Sequence, residues 1–249
     1  MDVVEELVPR LAELPAVVAI VLGGSRATNT HRPDSDWDFG LYYRGSFDAR
    51  LLAGLGYPGH VAQPGEWGRI VNGGAWLSVS GQPVDVLLRD LDAIERWWDE
   101  AQAGRFDIDN VEGHIAGLPT YAPIGEIALA RPLYGHLPEV SFPQALRQSA
   151  EHRWRWCAGF SLLHARHHAT TGNRTACIGM LARAVMQTAH GILAARGQWA
   201  LNEKRLIDRA DLSEAHQIIG TADVSVAVDQ MYTLLDPPPL TELDAHNPG

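Results

Sequence analysis

The segment Asp36-Trp37-Asp38-Phe39 alternates acids with aromatic residues. Along a strand, residues two apart point to the same face. The pattern therefore predicts a strand from Trp37 to Tyr43. It sets the carboxylates of Asp36 and Asp38 on one face and turns Trp37 and Phe39 towards a core. Two neighbouring carboxylates repel each other, and one tends to stay protonated unless a cation intervenes. Magnesium suits such a pair, because it takes hard oxygen ligands and is bound by few carboxylates plus substrate phosphates.

The flanking segments carry matching features. Ala16 to Leu22 is a short run rich in β-branched residues, the pattern of a buried strand, and Gly23-Gly24-Ser25 ends it. A strand that turns there into a helix offers bare backbone N–H groups. Glycine lets a phosphate approach closely, and the helix start adds partial positive charge. Ser25 adds a hydroxyl donor, and Arg26 either meets a phosphate or points into solvent. Downstream, Ala75 to Ser80 and Val84 to Leu88 read as two strands of a hairpin around Gly81-Gln82-Pro83. Asp85 interrupts the second of them, and a lone acid in an apolar strand is costly to bury without a partner. If this strand lies beside that of Asp36 and Asp38, the three acids meet. Two metal ions held there clamp an in-line phosphoryl displacement, and Asp85 can also take the proton of an attacking hydroxyl. Each feature has an ordinary reading too: Gly-Gly-Ser as a turn, Pro33-Asp34-Ser35-Asp36 as an Asx turn, and Asp85 as an acid at a sheet edge. Their order and spacing together point to a site.

The chain of 249 residues has room for one or two domains. Val3, Val4, Leu7, Leu11 and Leu14 recur at helical spacing, which predicts a helix over residues 2–14 although Pro9 opposes it. A further helix is expected from Leu91 to Gln102. The character changes near residue 136. His136 to Pro143 reads as a linker, followed by long helical patterns from Pro143 to about Thr171 and from Thr175 to Arg196. A third is expected over Glu203 to Arg209, and the tail from Pro237-Pro238-Pro239 is expected to be loosely ordered. The fold class is thus α+β: a catalytic domain over residues 1–135, with a small mixed sheet flanked by helices, then a helical bundle over residues 140–236 that contributes to the acceptor site.

The formal net charge is −10, which disfavours nucleic acid as a partner and attracts cationic small molecules. The two cysteines, Cys157 and Cys177, make no disulfide framework and read as buried thiols. The acidic start and the short Ala16–Leu22 run match neither a signal peptide nor a membrane span, so a soluble cytoplasmic protein is expected. Lys204, the only lysine, is either a cation for a triphosphate or a solvated helix end. Asp107, Asp109 and Glu112 read as a solvated acidic loop. His164 and His168 have an i,i+4 spacing that can hold a transition metal, though surface or partly buried histidines are the better reading. Trp154 and Trp156 read as one core and one interface position rather than a nucleic-acid patch.

The pattern of Gly24-Ser25, then Asp36-Trp37-Asp38, then Val84-Asp85-Val86 resembles the DNA polymerase beta-like nucleotidyltransferase superfamily. Within it, the chain is similar to small-molecule and antibiotic nucleotidyltransferases of the aminoglycoside or lincosamide type, which carry a helical bundle after the catalytic domain. The motifs cover about residues 20–90, and likeness over the helical half is architectural. The resemblance implies that Asp36 and Asp38 bind magnesium, that Asp85 binds a metal or acts as general base, and that Gly24 and Ser25 hold the triphosphate of a nucleoside triphosphate, most simply ATP. It further implies that a hydroxyl of a small-molecule acceptor, with antibiotics among the candidates, displaces pyrophosphate. Thr28-Asn29 stands where many relatives have Arg-Gly. A protein or RNA acceptor, and a nucleotide-binding module without catalysis, stay open as alternatives.

Overall fold

The computed structural model describes residues 2–27, 32 and 35–238. Thr28-Asn29, Pro33-Asp34 and the tail from residue 239 lie outside the described residues. Two compact units form: residues up to Glu100 with Pro119–Ser141, and Ala101–Leu118 with residues from Phe142 onward.

The first unit is built on a six-stranded sheet. Its strands are β1 (Val17–Leu22), β2 (Trp37–Tyr43), β3 (Gly59–Ala62), β4 (Gly73–Val79), β5 (Gln82–Asp90) and β6 (Arg131–Gly135). The spatial order is β3-β4-β5-β2-β1-β6. Only β2 and β5 pair in parallel; the other ladders are antiparallel. The alternation expected for β2 is present: Phe39 and Leu41 are buried in the core, with Trp37 stacked on Phe39. Ile20 and Leu22, Ala75, Leu77 and Val79, and Val84, Val86 and Leu88 share that apolar face. Helix α1 (Val3–Ala12) covers it through Val3, Leu7 and Leu11. Asp2 caps α1 by accepting from the Val4 N–H, and Pro9 is accommodated inside the helix.

Three details depart from the sequence-based expectation. The β4–β5 hairpin has a two-residue turn, Ser80-Gly81, not a three-residue gap. Both residues have positive φ (49° and 77°), the requirement of a type I′ turn, and Val79 pairs directly with Gln82. Strand β6 was not expected; Pro132 is tolerated there because β6 is an edge strand. Strand β3, at the other edge, was also not expected.

The opposite sheet face carries Asp38, Gly40 and Tyr42 on β2 beside Asp85, Leu87 and Arg89 on β5. Its far end is closed. Arg89 is 4% exposed and forms a paired contact with Glu126 of helix α2 (Ala122–Leu129): Nε donates to Oε2 at 2.6 Å and NH2 to Oε1 at 2.8 Å. Burial of Arg89 opposes its charge, but Glu126 more than offsets this and raises its pKa.

The second unit is helical. Its long helices are α3 (Gln144–Thr170) and α4 (Arg174–Ala195), joined later by α5 (Val224–Leu235). They share a core that includes Leu162, Leu181, Val185, Leu193, Val228 and Met231. Helix α4 is long and apolar enough to cross a membrane by length and composition alone; its buried positions, among them Cys177, Leu181 and Val185, pack into that core. Cys177 is buried and Cys157 half-buried, and both thiols are free. Trp154 is fully buried, whereas Trp156 stacks on the exposed Phe160.

Candidate active site

The geometry of the acidic site follows from strand register. Asp38 and Asp85 are direct partners across the parallel β2–β5 ladder. Neighbouring strands lie about 4.8 Å apart, and partners in register point to the same face. The two carboxylates therefore rise side by side from the face opposite the apolar core. Trp37 and Phe39 on β2 and their partners Val84 and Val86 on β5 face the other way. A one-residue slip would bury both acids and expose four core residues, so hydrophobic packing fixes the acid pair.

Asp36 is exposed and lies just before β2, next to Asp38 at the strand's mouth. Among the described residues, no three His, Cys, Asp or Glu side chains are gathered into a cation site. The register brings together Asp38 and Asp85, while Asp36 precedes Asp38 by two residues, outside the β2–β5 ladder.

The glycine turn packs onto Asp38. The Gly23 N–H donates to the Asp38 carbonyl at 2.8 Å. Gly24 has φ +60°, which L side chains rarely adopt, and a Cβ there would lie 2.7 Å from Asp38 Cγ and overlap Oδ2. Gly24 begins a one-turn helix that ends at Ala27, with Ser25 and Arg26 inside it. So short a turn brings little dipole; what it offers beside the carboxylate is bare glycine backbone and the Ser25 hydroxyl.

Arg26 is turned to the segment that leads into β2. Its Nε donates to the Asp36 carbonyl (3.1 Å), its NH2 to the Ser35 carbonyl (2.7 Å), and its guanidinium lies 4.1 Å from the Trp37 ring centroid. These contacts tie the turn to the residues that carry Asp36 and Asp38. Lys204 belongs to the helical unit, where its side chain is exposed and its N–H donates to Asn202 Oδ1.

Sequence patterning missed the continuation of the acidic row across the sheet. Trp76 on β4 is the register partner of Asp85, and His60 on β3 is the partner of Trp76. The outward position of Trp76 was legible in the alternation Ala75-Trp76-Leu77-Ser78-Val79, where Ala75, Leu77 and Val79 are buried and Trp76 is exposed. Its neighbour in space was not legible.

The sequence pattern that defines the nucleotidyltransferase domain family matches residues 4–103. No curated protein sequence matches the chain. Among solved structures, a nucleotidyltransferase-like protein from Exiguobacterium sibiricum 255-15 aligns with a TM-score of 0.45 and 11% identity, over 93% of this chain and 72% of that one. A spectinomycin adenyltransferase from Enterococcus faecialis, crystallised with ATP and spectinomycin, aligns with a TM-score of 0.30 and 9% identity, over 93% of this chain and 99% of that one. The matched span contains the Gly24-Ser25 turn, both strands of the acid pair and all three expected acids. The motifs behind the resemblance fall within the matched span: residues 4–103 match the nucleotidyltransferase domain family.

Proposed function

We propose that this protein is a magnesium-dependent nucleotidyltransferase that moves a nucleoside monophosphate, AMP from ATP, onto a hydroxyl of a cationic small molecule. The observation that carries the proposal is the register pairing of Asp38 with Asp85, with Gly24 packed against Asp38.

The donor set fits magnesium. It consists of carboxylate oxygens, two of which come from direct register partners on adjacent strands. Asp36, Asp38 and Asp85 would hold the ions. Magnesium, when bound, supplies Lewis-acid polarisation of the phosphate and neutralises the carboxylates. The protein's own residues do the rest. Gly24 lets the phosphates approach the acids, and Ser25 adds a donor. Asp85 accepts the proton of the acceptor hydroxyl as its oxygen bonds to the α-phosphorus. The bond from that phosphorus to the bridging oxygen breaks, and pyrophosphate leaves. Arg26 positions the strand entry through the Ser35 and Asp36 carbonyls.

Parallel incubations with ATP labelled at the α- or the γ-phosphate test the reaction type. Aminoglycosides, lincosamides, bulk RNA and protein lysate serve as acceptors. Only the α-label should appear on acceptor, and it should appear on a small molecule. Transfer of the γ-label would contradict nucleotidyl transfer, and α-label on RNA or protein would keep the chemistry and replace the acceptor.

A further inference from the structure

Helix α3 carries two stripes of apolar and aromatic side chains. One, with Trp154, Ala158, Leu162 and Ala165, is buried in the helical unit. The other runs through Phe160, Leu163 and His167 on the opposite side, at spacings of three and four residues. Phe160 is 46% exposed, Leu163 37%, and His167 is exposed as well. A helix with a single apolar face packs against one neighbour, and a second such face calls for another. Phe160 is held rather than loose: Trp156 stacks on it with ring centroids 5.5 Å apart at 5°, and the His164 ring meets it edge-on at 4.6 Å.

Charge around this outer stripe has one sign. No Asp or Glu stands between Glu151 and Glu203, although the chain has 30 of them. Arg166 borders the stripe towards α5, where its NH2 reaches Asp229 at 3.3 Å in an exposed pair. Arg153 and Arg183 border it on the other side, beside the Cys157 thiol: burial raises the pKa of that thiol, and the two guanidiniums oppose the rise. The Arg183 Nε is buried and has no hydrogen-bond partner. A guanidinium set beside a thiol and a second guanidinium, with a buried donor unused, is short of an acceptor.

We infer that the outer stripe of α3 is the docking face for an α-helix of a partner protein, one with an apolar seam at the same spacing and carboxylates on both flanks of it. The inference is independent of the nucleotidyl-transfer reading. The spacing selects a helix, because side chains recurring at three and four residues form a seam that interdigitates with a like seam on a facing helix. The charge selects an acidic one. Residues that flank a seam decide which partner is accepted, and like charges there repel. Arg166 on one flank, with Arg153 and Arg183 on the other, attracts carboxylates and repels basic side chains. The same logic disfavours a second copy of this stripe, which would set arginine against arginine. A carboxylate that reaches Arg183 satisfies the donor that the helical unit leaves unused.

The test uses the full chain and two synthetic helical peptides. Both carry leucine at the a and d positions of a heptad; one has glutamate at e and g, the other lysine. Binding is read by fluorescence anisotropy of the labelled peptide. Wild type should bind the glutamate peptide at least about tenfold more tightly than the lysine peptide. Phe160→Asp should weaken that binding at least about tenfold, and Arg183→Gln about threefold, the scales of an apolar anchor and of one charge at an interface rim. Circular dichroism should show both variants folded, and the peptide comparison on wild type stands whether or not they are. Wild type that binds neither peptide, or both alike, would overturn the inference, as would either folded variant that binds the glutamate peptide as wild type does. Two further measurements address rival occupants. A wild-type dimer in sedimentation velocity that Phe160→Asp dissolves would assign the face to a second copy. Flotation with phosphatidylglycerol vesicles that Phe160→Asp abolishes would assign it to a membrane surface. Either result would overturn the inference.

Discussion

Asp38 Oδ2 fills the space that a Cβ on residue 24 would need, so the turn and the acid can lie together only with glycine at that position. The same glycine sits at φ +60°. Sequence and geometry thus join at one residue: the left-handed turn at Gly24 lets the first strand's end reach the Asp38 carboxylate.

Replacing Gly24 with alanine should therefore damage catalysis more than folding. The left-handed backbone costs about 1–2 kcal/mol for an L residue, a modest loss in thermal unfolding. The added methyl must displace the Asp38 carboxylate, and a shift of about 1 Å at a reacting centre lowers turnover roughly 100-fold. Initial rates and a melting curve on the same variant check both parts. A variant as active as wild type would show that the contact between turn and acid is incidental.

The Arg89–Glu126 pair closes the far end of the acidic face, and it should hold the unit together without entering catalysis. Arg89 is almost fully buried and also donates to the Val71 carbonyl at 2.7 Å. Removing one member of a buried pair strands the other charge, at about 3–5 kcal/mol; Glu126 is 26% exposed, which argues for the lower end. Urea unfolding of Arg89→Met should show that loss. Arg89→Met combined with Glu126→Leu should recover most of it, because no charge is then left unpaired.

His190 should make the helical unit acid-sensitive. It is 1% exposed, lies stacked on Trp154 at 4.6 Å, and neither ring nitrogen has a hydrogen-bond partner. Burial first, then the nearby His114 and Arg209, push its pKa down to about 3 from an ordinary 6.5. The unfolded chain takes up a proton that the folded chain refuses. Its contribution to stability is therefore complete above pH 6.5 and is lost as pH falls towards 3, by about 1.4 kcal/mol per pH unit. Unfolding free energies measured between pH 7 and pH 4 should carry this slope, and His190→Leu should flatten it. An unchanged slope in that variant would assign the effect to other groups.

Much of the candidate site's local structure was legible in the sequence because its periodicities are short-range. The alternation in Asp36-Trp37-Asp38-Phe39 announces a two-faced strand, and Asp85 among valines announces an acid that needs a partner. Helices α3 and α4 were legible because their lengths leave room for a sustained helical pattern. What stayed hidden depends on pairing between distant segments. Nothing local to Asp38 says that Asp85, 47 residues on, is its register partner, nor that Trp76 stands beside Asp85. Edge strand β6 hid for another reason: Arg131-Pro132 reads as a chain breaker, and only the edge position makes proline acceptable there. The Ser80-Gly81 turn was misjudged by one residue because serine rarely takes positive φ, and here it does.

The central claim is that Asp38 and Asp85 form the reacting centre for nucleotidyl transfer. Transfer of α-label from ATP should be measured in magnesium for wild type, Asp38→Asn and Asp85→Asn, with folding checked by circular dichroism. Asparagine keeps the shape and removes the charge, so both folded variants should lose label transfer by at least about 100-fold, the scale of a general base or a charge-stabilising contact. Folded variants that transfer label at the wild-type rate would place the chemistry elsewhere in the molecule.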